Sequence, residues 1–430
     1  MGVLRVRATK LNCITNMTET IAETGTSTKR YNDKREALVS AATRLFNERG
    51  VVGTTLAEVG NSVGLVKNSV TYYFRRKEDL AVACFDRAIN AHDALVGIAV
   101  KQPDVAARVV ELIRLHVLLQ GEITQRNQPP VVSLGELRAL PPPHVDELFA
   151  RYTAMYRHSR KLLEGPETAH WSRADLNARA HLLVSFVSGI RTLVNRYDPE
   201  DHPRLGGGLS RIFLYGVNDP ASAWAASGAE LEWLSQIPER DLAAQFLRVA
   251  TELINEQGYG GASVNKIAEK FNLTKGGFYY YNESKGDLIA QCFERSVGTI
   301  RKAVNLTETF GGQAWEHLSS IVRGLVRFQL SEDGPLLRST ANSAYLDAEH
   351  RERVSTELGR VAERIAGVVV SGLMDGSIRP VDATLASHTV LTGIMAAAEL
   401  RRWVRTANEY NSCDLYARPM LQGVLCPVGP

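Results

Sequence analysis

The 430-residue chain has no apolar run approaching the ~18 residues that a membrane-spanning helix requires. Its five cysteines form no CxxC pair and have no histidine cluster beside them, which argues against a disulfide framework and against a zinc site. The first 29 residues are irregular and rich in Ser and Thr, and they lack the apolar core of a signal peptide. A reducing cytoplasm is therefore the expected setting. Charge of one sign is also missing: the formal net charge is +3, so any signal for a nucleic-acid partner must be local. No nucleotide loop, GxSxG, HExxH or carboxylate pair with an evident role is present, which leaves an enzyme on a helical scaffold as the lesser reading. No cofactor and no metal are expected.

What the chain does have is repetition. KNSVTYYFRRKEDL at 67–80 returns as KGGFYYYNESKGDL at 275–288, shifted by 208 residues. The same shift carries Asn47, Glu48, Gly50 and Gly53 onto Asn255, Glu256, Gly258 and Gly261, and Leu65, Asp79, Cys84 and Phe85 onto Leu273, Asp287, Cys292 and Phe293. A solenoid period runs roughly 20–50 residues, so this shift means a duplicated domain. Cys84 and Cys292 hold equivalent helical positions and are expected as small buried apolar groups.

The periodicity is helical throughout, and extended alternating segments are scarce, so the expected fold class is all-α. Ala37, Leu38, Ala41, Leu45 and Phe46 make an apolar stripe that Gly50 ends. Thr55 and Glu58 have the spacing of a capping box. A short helix to about Val63 follows, then Gly64 for a tight turn, a helix from Lys67 to Phe74, and a longer helix from near Arg76. In the second copy the layout is Ala243 to Gln257, a helix capped by Ser263 and running to Phe271, then Thr274 to Tyr281, and a long helix from Ser284. Asn272 stands where Gly64 does, and Asn tolerates a left-handed turn.

Two short helices across a tight turn, flanked by longer ones, describe a helix-turn-helix DNA reader. Leu56, Val59, Val63, Leu65 and Val70 supply its packing in copy one, and Val264, Ile267, Phe271, Leu273 and Phe278 in copy two. Lys67, Asn68, Ser69, Thr71, Tyr72 and Tyr73 form the outward face of the third helix; Lys, Asn and Ser suit base edges and phosphates, and Tyr hydroxyls suit phosphate oxygens. Thr55, Arg76 and Lys77 flank that face, and Ser263, Thr274, Lys275, Gly276, Tyr279, Tyr280 and Lys285 are the corresponding candidates in copy two. Residues 67–77 carry four basic groups and no acid, whereas Lys275 and Lys285 in 275–285 are set against Glu283.

These residues resemble the DNA-binding domain of the tetracycline-repressor (TetR) family of bacterial regulators. The family pattern is a first helix ending in Gly, a Thr-capped second helix, a recognition helix ending Tyr-x-x-Phe and a Lys-x-x-Leu entry into the fourth helix. Copy one matches at Gly50, Thr55, Phe74, Lys77, Asp79 and Leu80, but has Thr71 for the usual Tyr and Val66 for the usual Ser or Thr cap. Copy two has Thr274 and Tyr279 at those two places, with Asn282 for the usual Phe. The resemblance implies a ligand-responsive transcriptional regulator, of the repressor type, built from two fused units that pair through late helices. Its partners would be a double-stranded DNA operator, which need not be symmetric, and a small hydrophobic or acyl-CoA-like effector, with no membrane partner.

The expected domains are then the N-terminal segment 1–29, a first reader at 30–95, a first effector and dimerisation domain at 96–217, a linker at 218–237, a second reader at 238–303 and a second effector domain at 304–430. The segment 136–165 looks like one found in lipid-related regulators of the family, and copy two has Asn342 and Ala344 where Glu136 and Arg138 stand. His116, Tyr152 and Trp171, with Trp315, His317, Arg327 and Tyr345, are candidate pocket residues, each competing with a plain packing role. Helices at 104–120, 175–197 and 382–404 are strongly amphipathic. The last two are expected to pair, His181 matching His388, either within one chain as a pseudo-dimer or between chains as a homodimer. A further alternative is that one reader has lost DNA binding and serves only in pairing.

Overall fold

The computed structural model describes residues 26–224, 242–261, 264–270, 284–338, 346 and 348–428. Among them, regular structure is helical apart from one isolated bridge between Asn218 and Ile378. No helix among the described residues is long and apolar enough to cross a membrane.

The first unit opens with α1 (Thr26–Arg49), α2 (Leu56–Ser62), α3 (Lys67–Tyr73) and α4 (Lys77–Ala99). Helix α1 starts ahead of the stripe that begins near Lys34, so residues 26–29 are helical rather than irregular. The body follows as α5 (Val105–Thr124), α6 (His144–Arg160), α7 (Arg173–Val194) and α8 (His202–Tyr215), with a 3-10 turn at Leu134–Ala139. The second unit has α9 (Leu242–Gly261), α10 (Val264–Lys270), α11 (Lys285–Thr307), α12 (Ala314–Leu330), α13 (Ala348–Asp375), α14 (Ala383–Ala396), α15 (Leu400–Trp403) and α16 (Arg418–Gln422).

The duplication is written into the packing as well as the letters. Thr43 and Thr251 each donate to a carbonyl four residues back, Val39 and Leu247, and the thiols of Cys84 and Cys292 approach the same two carbonyls. Burial pushes both thiols up to about 11, so they are inert fillers at neutral pH.

The two bodies share one hydrophobic core, to which α5, α7, α12 and α14 contribute together. Helices α7 and α14 run antiparallel against each other. Gly189 faces Thr392, whose methyl would lie 3.2 Å from any added Cβ; His181 Nε2 meets the Ala396 carbonyl at 2.9 Å; Arg196 meets His388. Small residues permit this approach, and its order, with early residues of one helix against late residues of the other, is that of a two-fold contact between like helices.

The expected linker starts as a fixed strap. Val217 N–H donates to Leu421 O and Arg379 N–H to Val217 O, while Ser222 Oγ donates to Ser377 O. Trp315 Nε1 donates to Ala223 O, and Trp224 Nε1 to Asp414. Residues 225–241 lie outside the described residues.

Candidate nucleic-acid interface and effector cavity

The first reader is held by its two short helices. Thr55 caps α2: its hydroxyl accepts from Glu58 N–H at 3.2 Å, and Glu58 accepts from Thr55 N–H at 2.8 Å. Bonds from Thr55 hold the Glu58 carboxyl below its usual range. Gly64, at φ +70, makes the turn into α3, and it is the left-handed region that favours glycine here. Gly60 is the point of closest approach, since an added Cβ would lie 2.6 Å from Val70 Cγ2 and 2.7 Å from Leu65 O. Val59 and Val70 are buried between the helices, with Leu56, Val63 and Leu65 packed at the edge.

That packing decides which side chains of α3 face solvent. Lys67, Asn68, Thr71 and Tyr72 are exposed, Tyr72 at 74%. Ser69 and Tyr73, four residues apart on one side, are half-buried, so they are less available than the sequence pattern suggests. Tyr73 stacks on Tyr31 of α1 with centroids 4.9 Å apart, and Tyr72 meets both rings edge-on. The Thr71 hydroxyl donates to Asn68 O. Arg75 is exposed, Lys77 Nζ donates to Val52 O, and Arg76 contacts Asp79 at 3.3 Å and His144 at 3.1 Å. Of the candidates in copy two, Ser263, Thr274, Lys275, Gly276, Tyr279 and Tyr280 lie outside the described residues, as does the side chain of Lys285. Beyond them, Ser284 caps α11 through Asp287, where copy one uses Arg76 and Asp79.

In each unit an asparagine on the first long helix bonds the body. Asn47, near the end of α1, donates to Val131 O at 3.0 Å and accepts from Ser133 N–H at 2.9 Å. Asn255, its repeat partner on α9, donates to Leu336 O at 2.8 Å and accepts from Arg338 N–H at 3.1 Å. The fixed shift pairs these two asparagines, but nothing local to either marks its task. By this geometry Ser133 corresponds to Arg338, one residue away from the register that set Asn342 against Glu136.

Those bonds end in the wall of a cavity of about 290 Å³. Its apolar wall includes Ala88, Leu119, Leu137, Phe149, Val184 and Met395. Both units contribute, because Arg338, Thr392, Met395, Ala396 and Glu399 come from the second. At one end Glu399 sits between Arg138, at 2.6 Å, and Arg338. Both guanidiniums also donate to Asn255 O, at 3.0 and 2.9 Å. Burial alone would raise the Glu399 carboxyl, but Arg338 and Arg138 overcome that and hold it at about 2. Desolvation pulls Arg338 below its usual range, and Glu399 opposes that. His92 and His116 contact each other at 3.1 Å; burial holds His92 at about 4 and His116 well below its ordinary value. Both rings are neutral at pH 7.

Of the pocket candidates, His116 and Tyr152 line this cavity, and burial raises Tyr152 to about 12. Trp171, Trp315, His317 and Arg327 do not line it. Trp171 is packed against the Arg179 guanidinium, 4.4 Å from its centroid, Trp315 holds the strap, and His317 contacts Phe310 O. Tyr345 lies outside the described residues. The charged lining groups outside the sequence candidates are Arg138, Arg338 and Glu399, whose partners lie far along the chain, and Arg191.

Comparison with known proteins agrees with the reader geometry. Residues 38–84 and 246–292 each match the family model described as bacterial regulatory proteins, tetR family. The chain is similar to the HTH-type transcriptional regulator TtgR of Pseudomonas putida, 30% identical over 17% of this chain and 35% of that protein. It is also similar to the fatty acid metabolism regulator protein of Bacillus subtilis, 21% identical over 39% of this chain and 86% of that one. The regulator RutR of Escherichia coli is 26% identical over 34% and 67% of the two chains. The crystal structure of apo AibR aligns with 42% of this chain and 97% of its own at 18% identity, with a TM-score of 0.35.

Proposed function

We infer that this chain, which carries the TetR-family DNA-binding domain twice, is a sequence-specific DNA-binding transcriptional regulator of the repressor type, released by a small ligand. The observation that carries this is the outward face of α3, where Lys67, Asn68, Thr71 and Tyr72 stand exposed on a helix whose opposite side is locked onto α2. Such a face enters a major groove and offers donors and acceptors to base edges. The domain limits 30–95, 96–217, 238–303 and 304–430 belong to the same reading.

The cavity is the proposed effector site. A volume of about 290 Å³ equals about ten liquid-water volumes, so it suits a small ligand, and an acyl-CoA would enter only by its acyl end. Because Asn47 and Asn255 anchor both readers to its wall, a ligand that displaces that wall acts on both.

The antiparallel contact of α7 with α14 supports the pseudo-dimer reading, in which one chain presents two unequal readers to an asymmetric operator. Tethering makes such pairing intramolecular, at an effective concentration that reaches mM for short linkers. The alternative in which one reader serves only in pairing rests on the charge difference between 67–77 and 275–285.

Footprinting of the purified full chain on its own upstream DNA, with a mass measurement in solution, tests both levels. One chain per asymmetric footprint is expected. Two chains with four readers on a palindrome would refute the pseudo-dimer, and absence of any protected sequence would refute the DNA-binding reading.

A further inference from the structure

One cationic side chain in the cavity wall, Arg191, has no counter-charge among the described residues. Among the described residues its lining has three guanidiniums, Arg138, Arg191 and Arg338, against the single carboxylate of Glu399. Glu136, buried beside this lining, also acts on Arg338, so Arg138 and Arg338 have two acids near them and Arg191 is the guanidinium left over; burial keeps His92, His116 and His181 neutral at pH 7. Arg138 and Arg338 share Glu399 and the Asn255 carbonyl. Arg191 has no hydrogen-bond or ion-pair partner among the described residues, although burial is sufficient to lower its pKa. A guanidinium taken from water without a counter-charge is costly, and the cost is recovered when an anion arrives. The end of α7 favours a cation in its last turn, but that accounts for the charge and not for its place in a cavity wall.

The layout along α7 gives the ligand a shape. His181 and Arg191 are ten residues apart on one helix, which is about 15 Å of rise. Near His181 lies the closed cluster of Arg138, Glu399 and Arg338. Val184 and Val187 lie between the two ends, with Leu119, Leu134 and Phe149 on other parts of the wall. We propose that the cavity takes a small organic monoanion, a carboxylate on an apolar body, whose head pairs with Arg191. This rests on the reading of the cavity as the effector site and names the class of effector.

The test is calorimetric titration of the full chain, without DNA, with octanoate, octanol and octylamine. Octanoate has about as many non-hydrogen atoms as the cavity has water-sized volumes. A charged hydrogen bond gained at Arg191 predicts octanoate binding about 10- to 100-fold more tightly than octanol, with octylamine weakest. Arg191→Gln should abolish that preference while octanol affinity stays within about 3-fold, and Arg191→Lys should restore part of it. Equal affinity for octanoate and octanol, no octanoate binding at mM, or a preference unchanged in Arg191→Gln would overturn the proposal. Footprinting separates the two levels. Octanoate that binds through Arg191 but leaves the footprint unchanged sinks the regulatory reading and keeps the anion site. Release by octanol but not by octanoate does the reverse.

Discussion

Replacing Glu399 by Gln probes the joint between the two units. Glu399 faces two largely buried guanidiniums, one from each half, and its side chain is 15% exposed. Its carboxyl is held at about 2 against an ordinary 4.5. At 1.36 kcal/mol per pKa unit, a shift of that size corresponds to about 3 kcal/mol of stability. Removing one partner of a buried ion pair costs ~3–5 kcal/mol by mutational experience, so the two estimates agree in size. The sign follows from the lowered folded value. The contribution is fully present above the unfolded value and is lost as pH falls from about 4.5 toward 2. The assay is urea unfolding of wild type and Glu399→Gln at several pH values, followed by tryptophan fluorescence and helical circular dichroism. The expected gap is about 3 kcal/mol at pH 7, narrowing steadily below pH 4.5. A gap under ~1 kcal/mol at pH 7, typical of a surface pair, or one that does not change with pH, would refute the claim that Glu399 is a buried joint.

Three further outcomes are expected. Gly60→Ala should cost ~1–3 kcal/mol and weaken DNA binding, because the new Cβ meets Val70 and the Leu65 carbonyl; unchanged stability and affinity would contradict that close contact. Asn47→Ala and Asn255→Ala each strand a pair of backbone groups, at a cost of ~1–3 kcal/mol, and should blunt the effect of ligand on DNA affinity more than the affinity itself, as read by titration with and without ligand. Lys77→Ala should lower the slope of log affinity against log salt by about 0.9, and Tyr72→Phe should leave the preferred sequence unaltered; a new preferred sequence would make Tyr72 a base reader.

The helix-turn-helix of copy one is legible in the sequence. The capping pair Thr55 and Glu58, the turn at Gly64, the buried Val59 and Val70 and the exposed Lys67, Asn68, Thr71 and Tyr72 all follow from local chemistry, because their partners lie within a few turns of chain. Periodicity does not reveal that Ser69 and Tyr73 are half-buried, Tyr73 under a stacked Tyr31 from another helix. The repeat itself was legible in the same way, from identical letters at one fixed shift.

The cavity was not legible in that way. Trp171 and Trp315 look like pocket residues in a sequence, but their neighbours, Arg179 and the strap carbonyl of Ala223, decide otherwise. Arg138 meets Glu399 across 261 residues and Asn255 across 117. No local pattern records such a meeting, since an arginine on a half-polar segment reads as solvated until a distant carboxylate is brought to it. The sequence by itself determined a duplicated helix-turn-helix pattern and helical bodies. Only the tertiary structure decided that the two bodies share one core, that a cavity lies between them and that Arg191 stands in its wall without a partner among the described residues. Local propensity acts over a few residues, whereas ion pairing and burial depend on what the whole chain brings together.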